Sequence, residues 1–161
     1  MAKSKLTKKL ESKIMKETLK RGTFGCLEVK VGFPSNKRFV TNNEEIIDYM
    51  TYNTNGEIRC YEIKSSLADL NSGSHVSFVG HYNYFVMPRK LWLELLDKDL
   101  VTRYFFEGVG LYLLDDDGSF YLERKAKKKF ISLGVSTVLI ESMLRSLSRE
   151  ANRYYKLIEK I

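Results

Sequence analysis

Two β-type runs, Glu45 to Tyr52 and Glu57 to Lys64, are separated only by Asn53, Thr54, Asn55 and Gly56. Asparagine and glycine tolerate positive φ, so this punctuation predicts a tight β-hairpin. If the hairpin closes through Thr54, Asn55 and Gly56, with Gly56 in the left-handed position of a bulge, residues paired across it have numbers summing to 110. Asp48 then faces Glu62. A two-residue turn would shift that pairing, so the register follows from the conformation of Gly56.

The rest of the chain reads as helices and strands around this hairpin. Residues 5 to about 21 carry Leu6, Leu10, Ile14 and Leu19 at helical spacing, with Gly22 placed as a C-cap. Thr23 to Phe33 is rich in β-formers and is stopped by Pro34. After the hairpin, Ser66 to Leu70 predicts a short helical turn, His75 to Gly80 a loop, and Tyr82 to Met87 a buried strand ended by Pro88. Arg89 to about Asp97 is amphipathic, and Val109 to Leu114 and Phe120 to Glu123 flank a second hairpin turn at Asp115, Asp116, Asp117 and Gly118. From Ser136 a long helix runs to the end, with Ile140, Leu144, Leu147, Ala151, Tyr154 and Ile158 on one stripe. That stripe reads as the face that docks on a sheet, or alternatively as the coiled-coil seam of a homodimer. The order of elements predicts one α/β domain over residues 1–161, with a mixed central sheet flanked by helices and a long C-terminal helix.

Charge narrows the partners. The chain has 27 Lys plus Arg against 20 Asp plus Glu, a formal charge of +7, which favours a polyanionic partner such as nucleic acid. The same lysines also serve as a solvated face. Cys26 and Cys60 are far apart and form no metal-binding or redox pair, so both read as buried reduced thiols. No apolar run reaches the roughly 18 residues that span a bilayer, and the lysine-rich start lacks the apolar stretch of a signal peptide. The expectation is a cytoplasmic protein without membrane contact.

The tripeptide Glu-x-Lys occurs as Glu11-Ser-Lys13, Glu28-Val-Lys30, Glu62-Ile-Lys64 and Glu123-Arg-Lys125, so only context can select one. In the third copy strand alternation puts Ile58, Cys60, Glu62 and Lys64 on one face. Opposed residues have Cβ atoms about 4.5 to 5.5 Å apart, close enough for Asp48 and Glu62 to grip one divalent cation at roughly 2.1 Å per oxygen. The expected ligands of Mg²⁺ or Mn²⁺ are Asp48, Glu62 and the backbone carbonyl of Ile63, with Lys64 orienting water or offsetting developing charge. The plainer alternative is an ion pair on a solvated sheet face.

The stretches Ile46-Ile47-Asp48, Glu62-Ile63-Lys64-Ser65-Ser66-Leu67-Ala68-Asp69-Leu70 and Asn83-Tyr84-Phe85-Val86-Met87-Pro88 resemble the MmcB-like DNA-repair proteins of the PD-(D/E)XK nuclease superfamily. Related phage and Gram-positive bacterial proteins look similar through Phe78 to Tyr84 as well. The resemblance covers about residues 24 to 90 and implies a restriction-endonuclease-like αβββαβ core. It further implies a magnesium-dependent nuclease acting on DNA, in repair or phage DNA processing, inside a bacterial cell or phage-infected host. Asp48, Glu62 and Lys64 would be its catalytic residues. RNA stays open as a substrate, as does a catalytically silent nuclease-like module that binds nucleic acid or a protein. A phage accessory protein that contacts a host factor is the third reading.

Two departures from the family pattern matter. Ile47 stands where the leading proline is usual, and Asn71-Ser72-Gly73-Ser74-His75 replaces a charged stretch. The superfamily often has a further acid upstream, for which Glu28 on the first strand competes with Glu11 on the first helix. Candidate nucleic-acid contacts are Lys30, His75, Lys125, Lys127 and Lys128, whereas His81 reads as shaping the turn into the following strand.

Overall fold

Ser4 caps the first helix: its Oγ accepts the Thr7 amide at 3.0 Å and opens α1 (Lys5–Thr18). The computed structural model describes residues 3–31, 45–72, 78–105 and 108–159. Six strands form one sheet in sequence order: β1 (Thr23–Val31), β2 (Glu45–Asn53), β3 (Ile58–Ile63), β4 (Tyr82–Pro88), β5 (Gly110–Leu114) and β6 (Phe120–Arg124). The first three and the last two are antiparallel neighbours, while β3–β4 and β4–β5 are parallel. Parallel pairs need crossovers. The first contains the short α2 (Leu67–Asn71), and the second α3 (Arg89–Asp97) and α4 (Val101–Tyr104), the latter a turn of helix that periodicity did not reveal. A 26-residue helix, α5 (Leu133–Ile158), follows β6. The architecture is therefore α/β, a mixed sheet flanked by helices with a long C-terminal helix, as the sequence predicts.

Alternation along the strands builds two cores. On one face Tyr49, Tyr61, Ile63, Tyr84 and Val86 pack beneath Leu10 and Ile14 of α1, with Tyr61 and Tyr84 stacked at 5.3 Å. Gly25 of β1 lies under this layer because a Cβ there would sit 2.3 Å from Tyr49 Oη. On the other face Cys26, Met50, Ile58 and Cys60 meet Leu139 and Met143 of α5, while Phe85, Met87, Leu111 and Leu113 meet Leu91 and Leu95 of α3. Both thiols are free and buried, and burial raises them to about 11 for Cys26 and about 12 for Cys60.

The docking face of α5 differs from the one its apolar stripe suggests. Leu139, Ser142, Met143 and Ser146 are the buried residues. Leu144, Tyr154 and Ile158 are 61%, 63% and 48% exposed, and Ile140 alone of that stripe packs against the core margin. Small serines let the helix approach β1 closely, so a face with fewer large apolar groups wins the contact. Arg145 and Arg149 follow that face and donate to Ser142 Oγ at 3.1 Å and Ser146 Oγ at 2.8 Å.

Candidate functional site

The hairpin closes as its turn chemistry requires. Gly56 has φ +79°, its amide donates to the Asn53 carbonyl at 2.9 Å, and Asn53 Oδ1 accepts the amides of Asn55 and Glu57. The pairs Tyr49↔Tyr61, Met50↔Cys60, Thr51↔Arg59 and Tyr52↔Ile58 all have numbers summing to 110. The next position in this register opposes Asp48 and Glu62. There the strands part: the Ile63 amide, turned toward β2, donates to Asp48 Oδ2 at 2.8 Å instead of to a β2 carbonyl. Lys64 bonds to the other side, its amide donating to Val86 O of β4 at 3.0 Å. In an extended strand a residue's carbonyl leaves on the same side as its amide, so the Ile63 carbonyl also points toward the opening.

Burial sets the electrostatics. Glu62 is 3% exposed and Lys64 4%, and their charged ends lie 3.8 Å apart. Desolvation, then the nearby Asp48 carboxylate, lifts Glu62 to about 8 against the pull of Lys64. Asp48 is raised as well, mainly by burial, while the Ile63 amide and Lys64 pull it down. Glu62 Oε1 is buried without a hydrogen-bond partner among the described residues. Two close carboxylates, one of them with an unsatisfied oxygen, form a donor set that fits a hard divalent cation, with the Ile63 carbonyl as a neutral third ligand. Such a cation would offset the mutual repulsion of the acids and satisfy the orphan oxygen.

No family model matches the chain, and no curated protein matches it. Among solved structures it is similar to the SPO1766 protein of unknown function from Silicibacter pomeroyi, with 18% identity, a TM-score of 0.67, and coverage of 96% of this chain and 94% of that one. The likeness is one of fold. It extends over nearly the whole chain, so α5 and the β5–β6 hairpin belong to the shared architecture together with the strands that carry the carboxylates.

Neither upstream acid joins the pair. Glu28 has φ 51° and breaks the alternation of β1, so Leu27 packs toward the α1 layer and Val29 toward the α5 layer. Its carboxylate, 56% exposed, pairs with Lys3 Nζ at 2.7 Å, which holds it below the usual range. Glu11 is buried on α1 and bonds the same ammonium. Lys3 thus bridges both candidate acids, and its charge also reaches Asp48. Among the described residues no three His, Cys, Asp or Glu side chains converge as a metal cage. Glu28, expected from the sequence as a metal ligand, has its carboxylate drawn to Lys3 in the fold.

The candidate phosphate-binding residues scatter. Lys30 is exposed on the edge strand β1, close enough for its charge to act on Glu28. His75 lies outside the described residues. Lys125, Lys127 and Lys128 belong to an extended connector whose backbone is tied to Gly108 and, through Lys129, to His81. Lys128 pairs with Glu57 at 3.1 Å, before the start of β3, whereas Glu62 lies near its end, about 15 Å further along the strand. The connector is therefore not brought to the carboxylates. His81 shapes the local turn as expected, accepting the Ile58 amide on Nδ1 at 3.0 Å.

Two contributors carried little signal in the sequence. Asp69 of α2 accepts the amide and hydroxyl of Ser65 at 2.9 and 3.3 Å and holds the turn that follows Lys64. Its spacing from the N-cap Ser66, whose Oγ accepts the Asp69 amide, is the capping-box signature that could have marked it. Lys3 had no such signature. A cleft of about 380 Å³ opens beside Ser65 and Ser66 toward α3, but Lys9 and Lys90 face Glu94, Asp115 and Asp116 across it, so it has no preference for anions.

Proposed function

We propose that the chain is a metal-dependent nuclease that hydrolyses DNA phosphodiester bonds on a restriction-endonuclease-like core. The observation that carries this reading is the convergence of Asp48, Glu62 and Lys64 where β2 and β3 part, with Glu62 Oε1 buried and, among the described residues, without a hydrogen-bond partner. Asp48, Glu62 and the Ile63 carbonyl would hold Mg²⁺ or Mn²⁺, which supplies polarisation of the scissile phosphate and a lower pKa for water. Asp48 is oriented by the Ile63 amide, which fixes one of its oxygens at the edge of β3. Lys64, buried beside Glu62, carries the positive charge that offsets charge developing on the phosphate oxygens. Asp69 fixes the Ser65 turn and thereby the direction in which the strand leaves the site.

The decisive experiment titrates Mn²⁺ and Mg²⁺ by calorimetry into wild type and Glu62→Ala, then tests linear and branched DNA for cutting in the same buffers. Binding that disappears in the variant, with cutting lost in Asp48→Ala and Lys64→Ala, supports the nuclease. Absence of binding even with DNA present overturns it. One observation favours a second reading, a catalytically silent module that binds nucleic acid or a protein: Glu11 and Glu28 are both engaged by Lys3, and among the described residues no third acidic, His or Cys side chain joins Asp48 and Glu62 in a metal cage. That reading predicts DNA binding indifferent to divalent ions and no cutting.

A further inference from the structure

Among the described residues, the C-terminal half of α5 is helical without a packing partner. Every residue from 147 to 159 is exposed, more than three turns of helix. Isolated helices of this length are marginal in water, and a globular helix is normally held by an apolar face against something else. The exposed apolar groups are not scattered. Leu144, Leu147, Ala151, Tyr154 and Ile158 are spaced by alternating steps of three and four, a strict 3.5-residue repeat that continues back to the half-buried Ile140. The sheet takes a different face, through Leu139 and Met143, so this seam is presented outward.

We propose that the seam is a self-association surface, and that its occupant is the same seam of a second copy of this chain. Charge argues for that occupant. The protein carries +7, so two copies repel unless they meet on a surface free of cations. The cations of α5 are Arg145, Arg149, Arg153 and Lys156, and helical geometry places all four well away from the seam. The positions that flank it are Glu141, Ser148 and Tyr155 on one side and Met143, Glu150 and Leu157 on the other, and Glu150 is neutralised by Arg153 at 2.9 Å. A polyanionic partner would choose the arginine face instead. Tyr155 and Leu157, each 64% exposed, widen the apolar strip. Pairing two such strips removes on the order of 1,000 Å² in total, the lower end of a specific interface. Ala151, small and mid-seam, lets the two helices approach closely.

Sedimentation of the full chain from low to high micromolar concentration tests the proposal, with the double variant L144E/Y154E beside it. Both replaced residues are exposed, and the near-ultraviolet dichroism of Trp92, packed on Phe105, reports that the domain still folds. The expected result is wild type at twice the chain mass of 18.8 kDa and the variant at one chain mass. Oxidation of Ala151→Cys should give a covalent dimer and Arg149→Cys should not, since both native cysteines are buried. Wild type monomeric throughout, or a variant that still dimerises, overturns the inference. None of these outcomes depends on whether the chain cuts DNA.

Discussion

Glu62→Gln separates the energetic role of the buried carboxylate from everything else in the site. In the unfolded chain a glutamate titrates near 4.5, and in the fold Glu62 is raised to about 8. Between those values the folded protein holds a proton that the unfolded chain has released, so stability falls as pH rises through that window. Below about 4.5 the side chain is neutral in both states and no loss is present. At 1.36 kcal/mol per unit, the loss accumulated by pH 8 is on the order of 4 kcal/mol. The side chain is 3% exposed, so solvent screening removes little of it. Glutamine keeps the shape and cannot ionise, so the gap between variant and wild-type stability should widen by that amount from about pH 5 to about pH 8. For a chain of this size that corresponds to a difference in Tm on the order of 10 °C. Urea or thermal unfolding in metal-free buffer across this range measures it directly. Parallel profiles for the two proteins would refute the argument, because they would mean that Glu62 is solvated or fully neutralised by Lys64. Added Mn²⁺ should then stabilise wild type at pH 8 and leave the variant unchanged.

Three further outcomes follow from single residues. Lys64→Met removes the buried cation 3.8 Å from Glu62, which holds its carboxyl down, and should carry the loss of stability with rising pH on to higher pH than in wild type, as read by the same unfolding series. His81→Ala leaves the Ile58 amide without its acceptor and should cost about 1 to 2 kcal/mol in urea unfolding. Burial lowers the His81 pKa, so this contribution is present above about 6.5 and lost as pH falls below that value. Gly56→Ala meets no neighbour within 4 Å, so its cost should be only the left-handed strain at φ +79°, about 1 kcal/mol, with the hairpin register kept in amide exchange.

Local chemistry makes a good part of this protein legible. Asn53, Asn55 and Gly56 specify a turn whose geometry needs no distant contact, and once it is fixed the two-residue period of strands carries the pairing along β2 and β3 to the Asp48–Glu62 position. Pro88, the Ser66 cap and the capped start of α1 are equally local, and they place the elements of the mixed sheet. What an isolated sequence lacks is a statement of which surfaces compete for one another. The stripe on α5 has the larger apolar groups, yet Leu139 and Met143, with small serines beside them, fit the sheet more closely, so shape decided the docking face over hydrophobicity. Glu28 and Glu11 look equivalent along the chain, and only folding reveals that one ammonium, Lys3, engages both. The lysines that follow β6 are continuous with the basic character of the chain, yet the connector carries them to the far end of β3. Turns, caps and strand alternation are short-range and survive in the sequence as patterns, whereas helix facing, ion-pair choice and the parting of β2 from β3 depend on distances between segments that only the packed structure brings together.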